Sequence, residues 1–321
     1  MQPLVRALSA RVARFAVTFL LVTFAVAALL QLTPGSPALA IAGDSATPAV
    51  IAAINRQYRF NEPVFTRYGD WLGGALHGNF GVSYQSQQPV LTMISQRLPV
   101  TVELVLLAMV LALVIAVPVA MASAARPGSL LDRASAAVSS AVVSIPPFLV
   151  AVTLLYLLAV KVHILPLLGW APISAGLWEN LRHTALPVIA LALANSVILM
   201  RVLRAELIDT LQQDFITLAR SKGLSTRKIM WRHALRPSLA PLVTMWAVVL
   251  ASLLGSTVIV ESIFSLPGLG TLLLDSVTTK DLVTVQGIVA LFTVVVLFVN
   301  LLVDVVYGII DPRMRGVRTH E

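Results

Sequence analysis

Long apolar stretches alternate along this chain with shorter polar connections, and each stretch is near the roughly 20 residues that cross a bilayer as an α-helix. Six are readable, at 12–32, 98–122, 135–160, 183–200, 238–262 and 282–309. Ionisable groups inside them are scarce: Glu103, Glu261 and Asp304, with a few more at the ends. The pattern predicts an all-α integral membrane protein with six transmembrane helices. Pro118 and the pair Pro146 and Pro147 fall within predicted spans and are expected to kink them.

The connection 33–97 carries helix signals of its own. Thr47-Pro48 is an N-cap followed by proline at the first helical position, leading into AVIAAINRQY. Glu62-Pro63 precedes a second helical run, VFTRYGDWLGGAL. Phe60, Phe65, Tyr68, Trp71, Phe80 and Tyr84 are interleaved with polar residues. These signals predict a folded loop, either an interfacial aromatic belt or a docking surface for a partner.

The connection between the fourth and fifth spans reads as an elbow. Leu207, Leu211, Phe215 and Leu218 recur at three or four residues and predict one helix over 206–222 with an apolar stripe. Gly223 suits the left-handed C′ position. Ser225 then N-caps a second helix, with Leu224 and Ile229 at the hydrophobic-staple positions, and Pro237 opens the fifth span. Arg220, Lys222, Arg227, Lys228, Arg232 and Arg236 crowd this segment. Arg227 and Lys228 in the first turn oppose the helix dipole at roughly 0.3–1 kcal/mol each. Two readings stand: a basic rim around a turn that enters another protein's cleft, or charge on a plain connector.

Charge then sets the orientation. The chain has 321 residues, is 58% hydrophobic and 12% charged, and carries a formal net charge of +8, with a mean hydropathy of +0.88. In such a chain excess Lys and Arg mark the cytoplasmic side rather than nucleic-acid binding. Arg6, Arg11 and Arg14, then Arg126 and Arg133, the elbow, and Arg313, Arg315 and Arg318 share one side. Both termini are therefore expected in the cytoplasm and the loop 33–97 outside. Pro37-Ala38-Leu39-Ala40 has the look of a signal-peptide cleavage site, but the apolar run 15–32 exceeds the usual 7–15 residues of a signal core, so it reads as a span.

Several chemistries find no support. There is no cysteine, hence no disulfide or thiolate. No GxxxxGK[ST], GxSxG or HExxH pattern occurs, and Gly268-Leu269-Gly270 reads as a turn. His77, His163, His183, His233 and His320 lack ligand spacing. No metal, cofactor or enzymatic activity is expected of this chain, so any energy source must lie in another.

Specific motifs carry a resemblance. Ala219, Gly223 and the sequence HALR at 233–236 are similar to the EAA loop of bacterial ABC-importer permeases. More narrowly, FITLARSKGLSTRKIMWRHALRPSLAPLVT resembles the dipeptide, oligopeptide and nickel permease family. DWLGGALHGNFGVSYQSQQPV, RLPVTVEL, SIPPF, VIVESIFSLPGLG and the closing IIDPRMR match it in order along nearly the whole chain. The match departs from the general pattern at Thr217 and Leu218, where Glu-Ala is usual, and at Pro237, where asparagine is commoner.

The resemblance implies a type I ABC-importer permease fold in the bacterial inner membrane. It divides the chain into a first span with its outer loop (1–97), a five-helix core (98–315) containing a coupling loop at 205–237, and a short tail (316–321). It implies ATPase coupling through Ala219, Lys222, Gly223, Leu224, Ser225, His233 and Arg236. The implied partners are a second homologous permease, two ATP-binding subunits or one fused ATPase carrying ATP and Mg, and an extracytoplasmic substrate-binding protein. The implied cargo is di- or oligopeptides, with nickel, haem or another small solute as alternatives. An ATP-independent secondary transporter or channel is the competing class.

Candidate pathway or outer-gate residues are Glu103, Ser252, Gly255, Ser256 and Glu261. The acids near the outer ends of their spans would reach the surface or pair with an outer-loop arginine, or else form a ring that recognises a cationic amine. Asp304 is expected to pair with a basic inner loop. Ala251 and Gly255, Ser252 and Ser256, and Ser135 and Ser139 are small residues four apart, suited to close packing between two permeases or within one.

Overall fold

The computed structural model describes the backbone of residues 2–32, 35–43 and 46–310, with side chains except at 2–11, 30, 31 and 304–310. The side chains of Arg6, Arg11 and Asp304 and the whole of Arg313, Arg315, Arg318 and the tail 316–321 lie outside what the structure describes.

The described chain is nearly all helix. In order, α1 spans Gln2–Leu32, α2 Pro37–Ala42, α3 Pro48–Gln57, α4 Val64–Leu76, α5 Val90–Ala125 and α6 Leu130–Ser144. Next come α7, Pro147–Leu154, which continues as a π-helix over Leu155–Lys161, then α8 at Leu177–Leu211 and α9 at Asp214–Ser221. A short α10, Thr226–Lys228, also runs into a π-helix, Ile229–Ala234. The chain continues with α11 at Leu239–Ile263, α12 at Leu269–Thr278 and α13 at Leu282–Ile310.

Among the described residues, five helices are long and apolar enough to cross a membrane, in α1, α5, α8, α11 and α13; α6 and α7 form a sixth span only as a pair bent by 99°. The predicted third span is therefore broken. Pro146 and Pro147 remove two consecutive backbone donors, and each disfavours helical geometry at the residue before it. Pro118 sits inside α5, which continues past it. The helices also outrun the apolar stretches, because polar residues can extend a helix beyond the hydrocarbon: α5 starts at Val90, and α8 runs from Leu177 to Leu211.

The chain divides into two compact units, Met1–Val100 with Pro267–Phe298, and Thr101–Leu266 with Val299–Glu321. The first unit is built around the outer loop. Thr47 caps α3 as expected, its Oγ1 accepting from Val50 N at 3.4 Å. Helix α4 lies against α1: Phe24 stacks on Phe65 at 5.0 Å, and Thr23 Oγ1 and Tyr68 Oη share a hydrogen bond of 2.9 Å. A small core joins Val90 and Ile94 to Leu269, Leu272 and Ile288, with Phe80 and Val283 against it. Gly287 permits that approach, since a Cβ there would lie 2.8 Å from Val90 Cγ1.

The organising polar group of this unit is Asp281, which is buried. Its carboxylate accepts from Ser83 Oγ at 2.5 Å, from Tyr84 N at 3.2 Å and from Thr284 Oγ1 at 2.7 Å. Its backbone oxygen accepts from Val285 N, opening α13. One residue thus starts a helix and pins the loop after α4.

In the second unit α8 is the central element, packed by α6, α7 and α11. Leu186, Leu191, Leu199 and Leu203 are fully buried along it.

Replacing Asp281 by alanine should leave three donors without their acceptor and destabilise the first unit by about 2–4 kcal/mol. Limited proteolysis of the purified protein should then cut faster within residues 77–90, while α5, α8 and α11 stay protected.

Candidate coupling elbow and pathway face

The elbow departs from the predicted single helix over 206–222. Helix α8 ends at Leu211, and α9 begins at Asp214. Gln212 and Gln213 form the break, their N–H groups donating to Asp209 O and Thr210 O. The break turns α9 about its axis. Leu207 is fully buried, but Phe215 and Leu218 are 45% and 56% exposed, while Ile216 and Ala219 face inward. The expected stripe is therefore split, and α9 shows solvent an apolar face flanked by charge. Trp231 in the following π-helix is 54% exposed as well.

At its end α9 closes in a Schellman motif. Gly223 N donates to Arg220 O at 2.9 Å and Leu224 N to Ala219 O at 3.3 Å, with Gly223 at φ +74°. Ser225 stands at the N-cap of α10 in extended geometry, but its side chain makes no capping hydrogen bond. Lys222, Ser225 and Arg236 are exposed, Leu224 and His233 half-buried, and Ala219 buried. The foot of the elbow is tied where Thr210 Oγ1 and Ser238 Oγ meet at 3.0 Å, both buried. Ala219, Lys222, Gly223, Leu224 and Ser225 are thus gathered at one turn, while His233 and Arg236 sit further along the returning segment.

A second polar clamp holds α8 above the elbow. Arg204 donates to Asp132 through Nε at 2.7 Å and Nη2 at 2.9 Å, and Gly128 N adds a third bond at 2.8 Å. Nearby, Ser123 Oγ and Ser135 Oγ meet at 3.0 Å. The bidentate pair fixes the turn between α5 and α6 against α8. Sequence reasoning missed it, although Ser129-Leu130-Leu131-Asp132 has the spacing of a capping box, and Ser129 Oγ does accept from Asp132 N at 3.3 Å.

Glu261 and Glu103 accept from uncharged donors. Glu261 is 0% exposed, so it does not reach the surface, and its carboxylate accepts from Thr101 Oγ1 at 2.7 Å. Glu103 is half-buried and accepts from Asn180 Nδ2 at 2.6 Å and Trp170 Nε1 at 3.3 Å. Asn180 also donates to Ala171 O at 2.8 Å. These acids therefore staple α5 to α11 and to the start of α8. Along α11, Thr244, Val248, Ser252, Gly255 and Ile259 are exposed at spacings of three or four residues, and Ser256 is half-buried. This stripe is small-sided at its middle, where Ser252 and Gly255 adjoin. Ser139 on α6 is buried instead.

Apolar helices long enough to cross a membrane, a basic elbow and a stripe of small residues are features expected of a membrane-embedded permease subunit. The chain belongs to the family of binding-protein-dependent transport system inner membrane components, whose model matches residues 112–316, with its N-terminal companion model matching residues 4–105. It is therefore a multi-pass protein of the cell membrane. A probable peptide ABC transporter permease of Sinorhizobium fredii is 34% identical over 287 residues, 89% of this chain and 92% of that one. The dipeptide transport permease DppB of Lactococcus lactis is 34% identical over 92% of this chain and 94% of its own. The glutathione transport permease GsiC of Escherichia coli is 32% identical over 93% and 95% respectively. Among solved structures, an inward-facing MetNI methionine ABC transporter chain superposes with a TM-score of 0.57 at 17% identity, covering 68% of this chain and 96% of that one. That likeness supports the ABC-importer permease fold.

Removing Asp132 should free the clamp. In this cysteine-free protein, Ser123→Cys, buried in the parent, should label about tenfold faster with a maleimide once Asp132→Ala is added, the equivalent of one lost charge-assisted hydrogen bond.

Proposed function

We propose that this permease carries di- or oligopeptides inward, delivered by an extracytoplasmic binding protein, with ATP hydrolysed by partner subunits that seat on the elbow. The observation carrying this reading is the elbow itself. Phe215, Leu218 and Trp231 are exposed apolar side chains on a segment whose Arg220, Lys222, Arg227, Lys228 and Arg232 are also exposed. A connector needs only the charges. Large apolar groups left in water beside them suit a partner that covers them. The peptide, dipeptide and glutathione transport named for the relatives supports a peptide cargo.

The α11 stripe then serves as the face toward a second permease and the pathway between the two. Ser252, Gly255 and Ser256 let another backbone approach closely. Alternating access is driven from the elbow: motion of the ATPase moves α9, which follows directly on α8, and the Thr210–Ser238 contact ties the end of α8 to the start of α11. ATP and Mg are held on the partner subunits. Both termini and the elbow lie in the cytoplasm, and the loop of the first unit lies outside.

Orientation is checked with single cysteines. In spheroplasts, Asn61→Cys should react with a membrane-impermeant maleimide, and Ser225→Cys should react only after permeabilisation. The reverse pattern would overturn the topology.

Coupling is checked with two substitutions. Gly223→Val forces a β-branched residue to φ +74°. Leu218→Asp puts charge on an exposed apolar site without disturbing the core. Each should abolish ATP-dependent peptide uptake by the reconstituted complex and weaken ATPase co-purification, with normal membrane insertion. Lys228→Gln should cost little, since one exposed charge is worth about 0–1 kcal/mol. Full transport in both disruptive variants would reduce the elbow to a topology signal.

A further inference from the structure

The second unit carries an apolar groove that neither the elbow nor the α11 stripe uses. Its volume is about 440 Å³, between Leu107, Val110 and Val114 of α5 and Leu181, Val188 and Ile189 of α8. An apolar cavity of roughly 150 Å³ holds benzene, so this space takes a longer hydrocarbon. At 1.5 Å per residue the wall from Leu181 to Ile189 runs about 12 Å along α8. The two walls are fixed at their head, where Asn180 Nδ2 donates to Glu103 Oε1 at 2.6 Å, one turn before Thr184 and Leu107. The hydroxyl in the wall is turned to its own helix: Thr184 is buried, and Oγ1 donates to Asn180 O at 3.0 Å. On the open side Val110 and Val114 are 59% and 61% exposed, so the slot faces whatever surrounds the spans.

The rim has a different chemistry. Arg182 is the charged residue of the lining, and it stands where the apolar stretch of α8 begins. Trp178, also in the lining, is exposed beside it, at the level where tryptophan favours the membrane–water interface. Glu179 lies one turn before Arg182. Its Oε2 is 3.9 Å from Arg182 Nη1, and its Oε1 is 3.3 Å from His183 Nε2. The contact to Arg182 is long, both side chains are partly exposed, and a guanidinium has five donors, so Arg182 keeps donors for a further acceptor. A phosphate oxygen suits a guanidinium, and a primary ammonium suits a carboxylate. A cation and a carboxylate above a hydrocarbon slot fit a zwitterionic amphiphile better than a plain anion.

We propose that this groove binds one amine-bearing zwitterionic phospholipid, with an acyl chain between α5 and α8, its phosphate accepting from Arg182 and its ammonium donating to Glu179. This is a lipid site on the second unit, separate from the coupling elbow, and it does not depend on the transported cargo. A neighbouring subunit could cover the same face, so the assembled transporter is a variable of the test.

The full chain in dodecyl maltoside would be titrated with dioleoylphosphatidylethanolamine, and separately with dioleoylphosphatidylglycerol, and read by native mass spectrometry. One phosphatidylethanolamine should be retained, and phosphatidylglycerol should bind about tenfold weaker, as for loss of a charge-assisted contact. Arg182→Gln should weaken the ethanolamine lipid about tenfold, and Glu179→Gln should bring the two lipids to equal affinity. Val110→Trp, on the exposed wall, should fill the slot and lose both. The comparison of the two lipids uses the unaltered protein, so it stands even if a variant misfolds. Equal retention of the two lipids, unchanged retention in Arg182→Gln and Val110→Trp, or no retained lipid would overturn the proposal. Absence of the ethanolamine lipid from the assembled transporter, while the single chain keeps it, would overturn it in favour of a neighbouring subunit in the groove.

Discussion

In hydrocarbon, a backbone N–H or C=O without a partner costs several kcal/mol, so a chain that crosses a membrane must satisfy its polar groups from within. That requirement explains why the chain is nearly all helix and where its helices stop. At Pro146 and Pro147 the chain cannot supply the N–H groups, and the span breaks by 99°. At Gln212 and Gln213 the ladder ends instead in short-range bonds back to α8. At Gly223 it ends in two bonds that return to α9. Each interruption is closed by its own local hydrogen bonds.

The same accounting governs the acids. Among the described residues, Asp132, Asp281, Glu103 and Glu261 are buried or half-buried carboxylates, and each accepts from nearby donors. Asp281 and Asp132 each gather three hydrogen bonds, the first from two hydroxyls and an amide, the second from a guanidinium and an amide. Glu103 and Glu261 take theirs from Asn180, Trp170 and Thr101. An acid in an apolar stretch is easily read as a recognition site for a cation. Here Glu103 joins α5 to the start of α8, Glu261 joins α5 to α11, Asp132 joins α6 to α8, and Asp281 joins the start of α13 to the loop after α4.

What the sequence made legible follows from the range of each interaction. Bulk hydropathy is a property of twenty residues at a time, so five spans were readable with only their ends short. Local turn chemistry was also readable: Thr47 before Pro48 and Gly223 after α9 take up the roles their residue types suggest. The break at Gln212 was not readable, because neither glutamine is a helix breaker, and missing it misassigned the faces of Phe215 and Leu218. Nor could the sequence reveal Asp281 as a hub, since Ser83 lies 198 positions away. Ten residues of helix, α12, hid behind Gly268, which reads equally well as a turn.

Gly223 shows how narrow a constraint can be. A Cβ built there meets no atom within 4 Å, so space within the chain does not exclude a side chain. Only the sign of φ does. The position therefore selects for handedness rather than size: the one achiral residue fits freely, and among chiral ones asparagine, which visits the left-handed region at least cost, is the natural second occupant. Over evolutionary drift the turn can change its residue and its polarity while keeping its shape, provided that its mirror-image backbone angle is preserved.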